Sequence, residues 1–357
     1  MSSEKSPIFF PVSADDVAGL QGIPEALVTT LAEKRILITG GTGFVGSWLL
    51  EALLHFNRTA ALNLQLFVLT RDVQRWQQSR PHLASDPAIS PIIGDILTPG
   101  EWESQLPSRF DLLIHGAFDS GQRPGTIPRL QVLEAILEGT RHVVSAAVVR
   151  SVQRVLFVSS GAVYGPLPPE SDSFSEDSFS GPDPMAAHSA YAEGKRAAEA
   201  WGAAYCEQHK IDFVSGRLFA FAGPYLPINQ HFAFGNFLRD ALAKQTIQVS
   251  GSGQSVRSYL YGADLAAWLI RLLILGRDGR AYNVGSDVPV TILQLAHLVA
   301  KLAGRPGDVI VEAQGRTGHD SIYVPNVTRA RLELGAEVLV SLEDSILRSL
   351  EYYRSPK

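Results

Sequence analysis

The chain has 357 residues, with 31 Lys and Arg against 36 Asp and Glu and a formal net charge of −5. That length can bury one large α/β core or a main domain with a smaller lobe, and mild acidity without basic blocks argues against a nucleic-acid partner. The single cysteine, Cys206, rules out an internal disulfide and points to a reducing compartment, its expected part being that of a small packing residue in a helix.

Residues 1–33 read as an N-terminal extension with one helix. The opening MSSEKSPIFFPVSADDVAGL carries a short apolar run broken by Pro7 and Pro11 and followed by Asp15 and Asp16, which is unlike a signal peptide. No stretch reaches the ~20 uninterrupted apolar residues that a bilayer demands. A cytoplasmic protein without membrane contact is therefore expected.

RILIT, residues 35–39, predicts a short buried strand, and the following GGTGFVGSWLLEALL sets Gly40, Gly43 and Gly46 at three-residue spacing before an amphipathic helix that opens at Phe44 and Val45. Small residues let the backbone turn sharply and approach a pyrophosphate, whose charge is met by N–H groups and the positive end of the helix dipole. The Gly-x-x-Gly-x-x-Gly spacing resembles that of the short-chain dehydrogenases/reductases, and the resemblance implies dinucleotide binding by this loop.

The second strand, LQLFVLT, ends at Leu69, Thr70, Arg71 and Asp72, where cofactor choice usually turns. An acid there accepts both ribose hydroxyls, whereas an Arg pairs with a 2′-phosphate. Thr70 stands where the NAD-using sugar epimerases of the family carry Asp, and Arg71 follows, so NADP is expected ahead of NAD unless Asp72 turns in. After the third strand, ISPII, Asp95 resembles the family's adenine-edge acceptor, with Ile96 beside it. An ordinary turn Asp is the other reading of Asp95. The fourth strand, FDLLIHGA, ends at Ala117, which completes the expected cofactor-binding set.

A helix is predicted from the three- and four-residue spacing of Leu133, Ile136, Leu137, Thr140, Val144, Ala147 and Val148. RVLFVSS then delivers Ser159 and Ser160 at the carboxyl end of a strand, the edge where such sheets bind ligands. Residues 166–188 hold five prolines and a Ser/Asp/Glu-rich run, a surface loop that is either an inert insertion or the rim of the site. In the next helix, Tyr191 and Lys195 are four apart and leave the same face. A phenol has a pKa near 10, and an ammonium one turn away is expected to lower it. In the family that the sequence resembles, Ser160, Tyr191 and Lys195 match the catalytic Ser/Thr, Tyr and Lys, and Ser-x-x-Val-Tyr-Gly makes Tyr164 a shaping residue.

IDFVSGRLF predicts another strand, and further helices are expected near 232–243, 263–275, 291–303 and 341–353, with TIQVS and AYNVG as strands. Alternating strands and helices predict an α/β fold, a Rossmann-type doubly wound parallel sheet. The domains expected are a dinucleotide-binding unit at 34–219 and a smaller α/β substrate-binding lobe at 220–357, of which about 263–285 returns to the core.

The resemblance extends from about Arg35 to Gly335 and narrows to the extended, nucleotide-sugar branch of the family, the NAD-dependent epimerases and dehydratases. It implies a nucleotide-diphosphate sugar as substrate and a homodimer paired through helices that include the Tyr-bearing one. Arg257, in QVSGSGQSVRSYLY, matches the Arg that grips the diphosphate, and guanidinium geometry suits paired phosphate oxygens. Asn283, Arg316 and Tyr323 fall in matching substrate-side segments. Asn236 either reaches the base or is a helical surface residue. Arg316, His319 and Asp320 in GRTGHDSIY could suggest metal ligands, but the family parallel implies no metal.

Two departures from the pattern bear on the reaction. In the 4,6-dehydratases an Asp-Glu pair follows the catalytic Ser/Thr, protonating the leaving hydroxyl and removing the neighbouring C–H proton. Here those places hold Gly161 and Ala162, and the Glu expected of the decarboxylases is also missing. Ala220 stands where relatives show an Asn that meets the substrate phosphates. What remains is hydride chemistry at C4 of a hexose: a 4-keto-sugar reductase or, alternatively, a 4-epimerase with tightly held NAD. A non-catalytic dinucleotide sensor is the reading from another class.

Overall fold

A computed structural model of the chain describes residues 9–118, 127–230, 232–312 and 321–354. The first six strands are β1 (Arg35–Thr39), β2 (Gln65–Thr70), β3 (Ile89–Ile93), β4 (Leu112–His115), β5 (Arg154–Ser160) and β6 (Asp212–Leu218). The short β7 (Ala220–Ala222), β8 (Ile247–Ser250), β9 (Val256–Arg257) and β10 (Tyr259–Tyr261) follow, and β11 (Arg280–Val284) returns to complete a seven-stranded sheet in the order β11-β6-β5-β4-β1-β2-β3. Every pairing in it is parallel. The α/β Rossmann-type fold expected from the sequence is the one observed.

Strands buried on both faces need helices on both sides. α1 (Ala14–Ala18) and α2 (Glu25–Val28) precede the sheet, followed by α3 (Phe44–Thr59), α4 (Val73–Ser79), α5 (Pro81–Ala84), α6 (Arg129–Val149), α7 (Ala190–His209), α8 (Ala233–Leu242) and α9 (Gly262–Leu275). On one face α3 and α9 bury Leu49, Leu53, Trp268 and Leu272. On the other α6 and α7 bury Ile136, Val143, Ala198 and Cys206 against Phe157 and Phe213. Cys206 is thus the packing residue expected, its thiol pushed up to about 12 by burial.

The remaining elements are β12 (Val290–Thr291), α10 (Ile292–Leu302), β13 (Val309–Glu312), β14 (Ile322–Tyr323), α11 (Thr328–Leu334) and α12 (Leu342–Arg354). α8, α10 and α12 enclose a separate small core of Phe234, Leu238, Val249, Leu295 and Ile346. Thr291 caps α10 in a capping box with Gln294, which fixes where that helix starts.

The N-terminal segment differs from the one helix expected, because Gly19, Gly22 and Pro24 divide it into α1, α2 and intervening turns. It is sewn to the body. Phe9 N donates to Ser79 O at 2.6 Å, and buried Asp16 accepts from the Tyr261 hydroxyl and from Arg348. The 166–188 loop is irregular as expected, but Phe174 is buried and bonds through its backbone to Val324 and Asn326. The loop is therefore anchored beside the carboxyl end of β5.

Strand order reverses between β4 and β1, and a crevice opens at such a switch point beyond the carboxyl ends of the strands. β1, β4 and β5 deliver Gly40, Ala117 and Ser160 to it.

Candidate active site

The glycine loop has a different reason for each small residue. Gly40 has φ +75°, and a Cβ there would lie 2.6 Å from the Gly116 carbonyl. At Gly46 a Cβ would lie 2.3 Å from Gly40 O, so the loop and α3 can close only on glycine. Gly43 is exposed, and a Cβ on it would meet nothing nearer than 3.5 Å. The fold does not demand glycine there; a close-lying ligand would. No side chain caps α3 at Gly43 and its first turn holds no acid, leaving N–H groups free for an anionic pyrophosphate. Phe44 stacks on Phe221 at 5.6 Å, and both Phe44 and Val45 are half-buried. The residues present fit a dinucleotide.

Arg71 is exposed at the end of β2, and among the described residues no carboxylate pairs with it. Asp72 is turned away: its Oδ1 accepts from Arg75 N at 2.8 Å as the cap of α4. Asp95 accepts from Leu97 N at 2.9 Å, so one oxygen is engaged in a turn. Ile96 lies against Gly139 of α6, and its carbonyl is 2.9 Å from His142 Nδ1. Ala117 N donates to Thr39 Oγ1 at 3.2 Å.

The structure brings Ser160 and Tyr191 together. Ser160, buried at the end of β5, accepts from Ala162 N at 3.2 Å, and its hydroxyl favours the phenolates of both Tyr191 and Tyr323. Burial outweighs that influence and raises Tyr191 above its ordinary value. The sequence expectation had the opposite sign. Lys195, one turn along α7, donates to Val158 O at 2.8 Å above the Phe157 ring, so it acts on the phenol only through its field, which does not offset the burial. Burial brings Lys195 down to about 8, with Glu199 opposing.

Behind these groups lies a buried chain that sequence reasoning passed over. Thr39 Oγ1 is 2.7 Å from His115 Nδ1, and His115 Nε2 is 3.1 Å from Thr140 Oγ1. Burial, then the Lys195 charge, hold His115 down at about 3, so the imidazole is neutral. The position of His115 at the end of a strand running into Gly116 was the available signal.

On the substrate side, β14 pairs with β9 and sets Tyr323 opposite Arg257, the guanidinium 5.9 Å from the ring. Arg257 donates to Val256 O, Ser321 O and Ser321 Oγ at 2.7, 2.9 and 3.0 Å. No carboxylate among the described residues neutralises it, which leaves its charge available to an anion. Asn236 is half-buried on α8 and accepts from Arg239 at 3.1 Å. Arg316 lies outside the described residues.

Asn283 is a different case from the substrate contact expected. It is fully buried, its Oδ1 accepts from Tyr164 OH at 2.7 Å, and its Nδ2 donates to Phe174 O and Asn326 O at 2.7 and 3.0 Å. Its amide is spent fastening the 166–188 loop and holding the Tyr164 hydroxyl.

Phe219 was not anticipated. Its ring sits among Tyr164, Phe174 and Tyr323, at 6.4, 6.0 and 4.6 Å between centroids. A Cβ on Gly161 would lie 2.6 Å from that ring. Only the gap in the acid pair was visible in the sequence, not the ring that fills it.

A family model, the NAD dependent epimerase/dehydratase family, matches residues 36–285. UDP-glucuronic acid decarboxylase 1 of Xenopus tropicalis is 28% identical over 335 residues, 93% of this chain and 75% of the relative. The crystal structure of DesIV, a dTDP-glucose 4,6-dehydratase from Streptomyces venezuelae with NAD and TYD bound, superposes with a TM-score of 0.76 at 27% identity, covering 90% of this chain and 97% of that one. The structure of RMD from Pseudomonas aeruginosa complexed with NADPH shares the fold with a TM-score of 0.73 at 22% identity, covering 90% and 99%. The chain belongs to the NAD dependent epimerase/dehydratase family, the extended short-chain dehydrogenase/reductase enzymes of nucleotide sugars.

Proposed function

We propose that the chain is an NADP-preferring oxidoreductase that transfers hydride at C4 of a nucleotide-diphosphate hexose, working as a 4-keto-sugar reductase. The observation that carries this is the packing of Phe219 on Gly161, beside a Ser160 and Tyr191 that lie together. Elimination needs a general acid and base next to the serine. An aromatic ring occupies that place instead, while the groups for moving one proton at a carbonyl oxygen are present.

Bound in the crevice, the reduced nicotinamide supplies the hydride. The chain's own residues supply the rest. Ser160 donates a hydrogen bond to the C4 oxygen and fixes its position. The Tyr191 phenol, held protonated by burial, delivers the proton to that oxygen as the carbonyl becomes an alcohol. Lys195 supplies the positive charge that makes the resulting phenolate tolerable before solvent reprotonates it.

Arg71 with no described acid partner, and Asp72 committed to capping α4, support NADP over NAD. Both cofactors occur on this fold, in DesIV and in RMD. DesIV also carries TYD, and on this reading Arg257, with Tyr323 beside it, receives the diphosphate while half-buried Asn236 of α8 reaches the base. Pairing of two chains through α6 and α7 belongs to the same reading, supported by Leu130 and Val149 standing exposed on α6.

The test is to denature the purified protein, identify any released dinucleotide, and follow NADPH consumption with 4-keto nucleotide sugars. Exchangeable NADPH consumed in turnover is expected. Retained NAD without net NADPH consumption would instead establish an epimerase.

A further inference from the structure

Tyr191, Lys195 and Glu199 recur at four-residue intervals along α7, so one helical face carries all three. The end of that row is clamped from the sheet. Glu199 accepts from Ser215 Oγ at 2.8 Å and from Arg217 Nε and Nη2 at 3.1 and 2.7 Å, and the side chains of Arg217 and Glu199 are only 18% and 13% exposed. Arg217 is held in turn over the Tyr164 ring at 4.9 Å.

A paired carboxylate inside a fold adds little net stability, because desolvation offsets the attraction, which leaves room for another role. Its neighbour supplies one. The Lys195 ammonium is buried, and its protein acceptor is a neutral carbonyl, Val158 O, with the Phe157 ring below. The titratable and charged groups around it are Glu199 from α7, with Tyr191 one turn back on the same helical face, His115 from β4 and, behind Glu199, Arg217 from β6. α6, packed along α7, brings apolar Ile136 against Gly194. Tyr191 and His115 are neutral, so Glu199 is the anion in this set.

We propose that Glu199, held by Arg217 and Ser215, is a positioning residue that keeps Lys195 an ammonium beneath the hydride-transfer centre, with Arg217 trimming its field. The inference rests on the reading of Lys195 as the cation of that site. It makes the row a graded device: Arg217 offsets part of the Glu199 charge, and Glu199 offsets part of the desolvation of Lys195.

The experiment is a pH titration of the full-length protein labelled with 15N-lysine, following the Lys195 Nζ resonance assigned through Lys195→Arg. The wild-type midpoint is expected near 8. Glu199→Gln should lower it by about one pH unit, Glu199→Asp should largely restore it, and Arg217→Met, which leaves the carboxylate unpaired, should raise it. Opposite shifts distinguish a charge effect from general loosening, which would move both variants the same way. A folded Glu199→Gln protein with an unchanged midpoint, or an Arg217→Met midpoint that falls, overturns the proposal. The underlying reading fails separately, by turnover that persists in Lys195→Met.

Discussion

The ring of Phe219 lies where a side chain on Gly161 would have to go, 2.6 Å from the position of its Cβ. Three other rings, from Tyr164, Phe174 and Tyr323, surround Phe219, so it has little room to turn aside. Gly161→Asp therefore does not convert the chain into a dehydratase. It overpacks a closed aromatic cluster and should cost about 1–3 kcal/mol in urea denaturation, with no dehydrated sugar detected by mass spectrometry. A variant as stable as the wild type would show that the ring yields easily and that nothing but the missing acid blocks elimination.

Tyr191→Phe removes the proposed proton carrier and keeps the ring, whose centroid lies 5.1 Å from that of Phe118. Turnover should fall roughly a hundred- to ten-thousand-fold, while the cofactor dissociation constant stays where it was. Ser160→Ala should behave alike in turnover. Unimpaired NADPH oxidation by Tyr191→Phe would remove the phenol from the reaction.

At Arg71 the contrast is between two cofactors. If its guanidinium receives the 2′-phosphate, Arg71→Ala should weaken NADPH by about ten- to a hundredfold, the worth of one charge-assisted hydrogen bond, and leave NADH within about twofold. Fluorescence titration of both nucleotides reads this directly. An equal loss for both would reduce Arg71 to a residue of the general electrostatic field.

Lys195 gives the stability a pH signature. Its folded pKa is depressed from 10.5 to about 8, so the unfolded chain binds more protons between those values and stability rises with pH across that window. The contribution is fully present above the unfolded value and is lost as pH falls through 8. Lys195→Met, which has no charge to desolvate, should flatten the rise and gain on the order of 3 kcal/mol at pH 7 over the wild type. Paired urea titrations at pH 7 and pH 10 check the sign, and a rise that survives the substitution would assign it to another group.

Strand and helix positions were legible because a parallel sheet writes itself as short apolar runs, and β5 and β6 coincide with RVLFVSS and the centre of IDFVSGRLF. Ser160, Tyr191 and the glycine loop were legible for the same reason: local spacing places them. The direction of the Lys195 ammonium was not, because helical periodicity gives a face and not the acceptor waiting on it. Asn283 could be read as a substrate contact only because its partners, Tyr164, Phe174 and Asn326, come from three distant segments. Phe219 escaped for a similar reason, since its meaning depends on an approach across the sheet. Glu199 was within reach, had the four-residue row from Tyr191 been followed one step further.

Residues before the first strand read as an appendage, yet Asp16 is 4% exposed and accepts from Ser13 N and Oγ at 3.0 and 2.7 Å as well as from Tyr261 and Arg348. Tyr261 starts the packing of α9, and Arg348 lies on α12, so one carboxylate joins the extension to the core and to the final helix. Asp16→Ala leaves the buried Tyr261 hydroxyl without its acceptor and should cost about 2–4 kcal/mol. Tyr261→Phe removes only one arm and should cost about half as much. The two together should lose less than the sum, because they share a bond. Urea denaturation of the four proteins closes the cycle. A loss below about 0.5 kcal/mol for Asp16→Ala would make the extension a true appendage, free to be removed without disturbing the fold that holds the site.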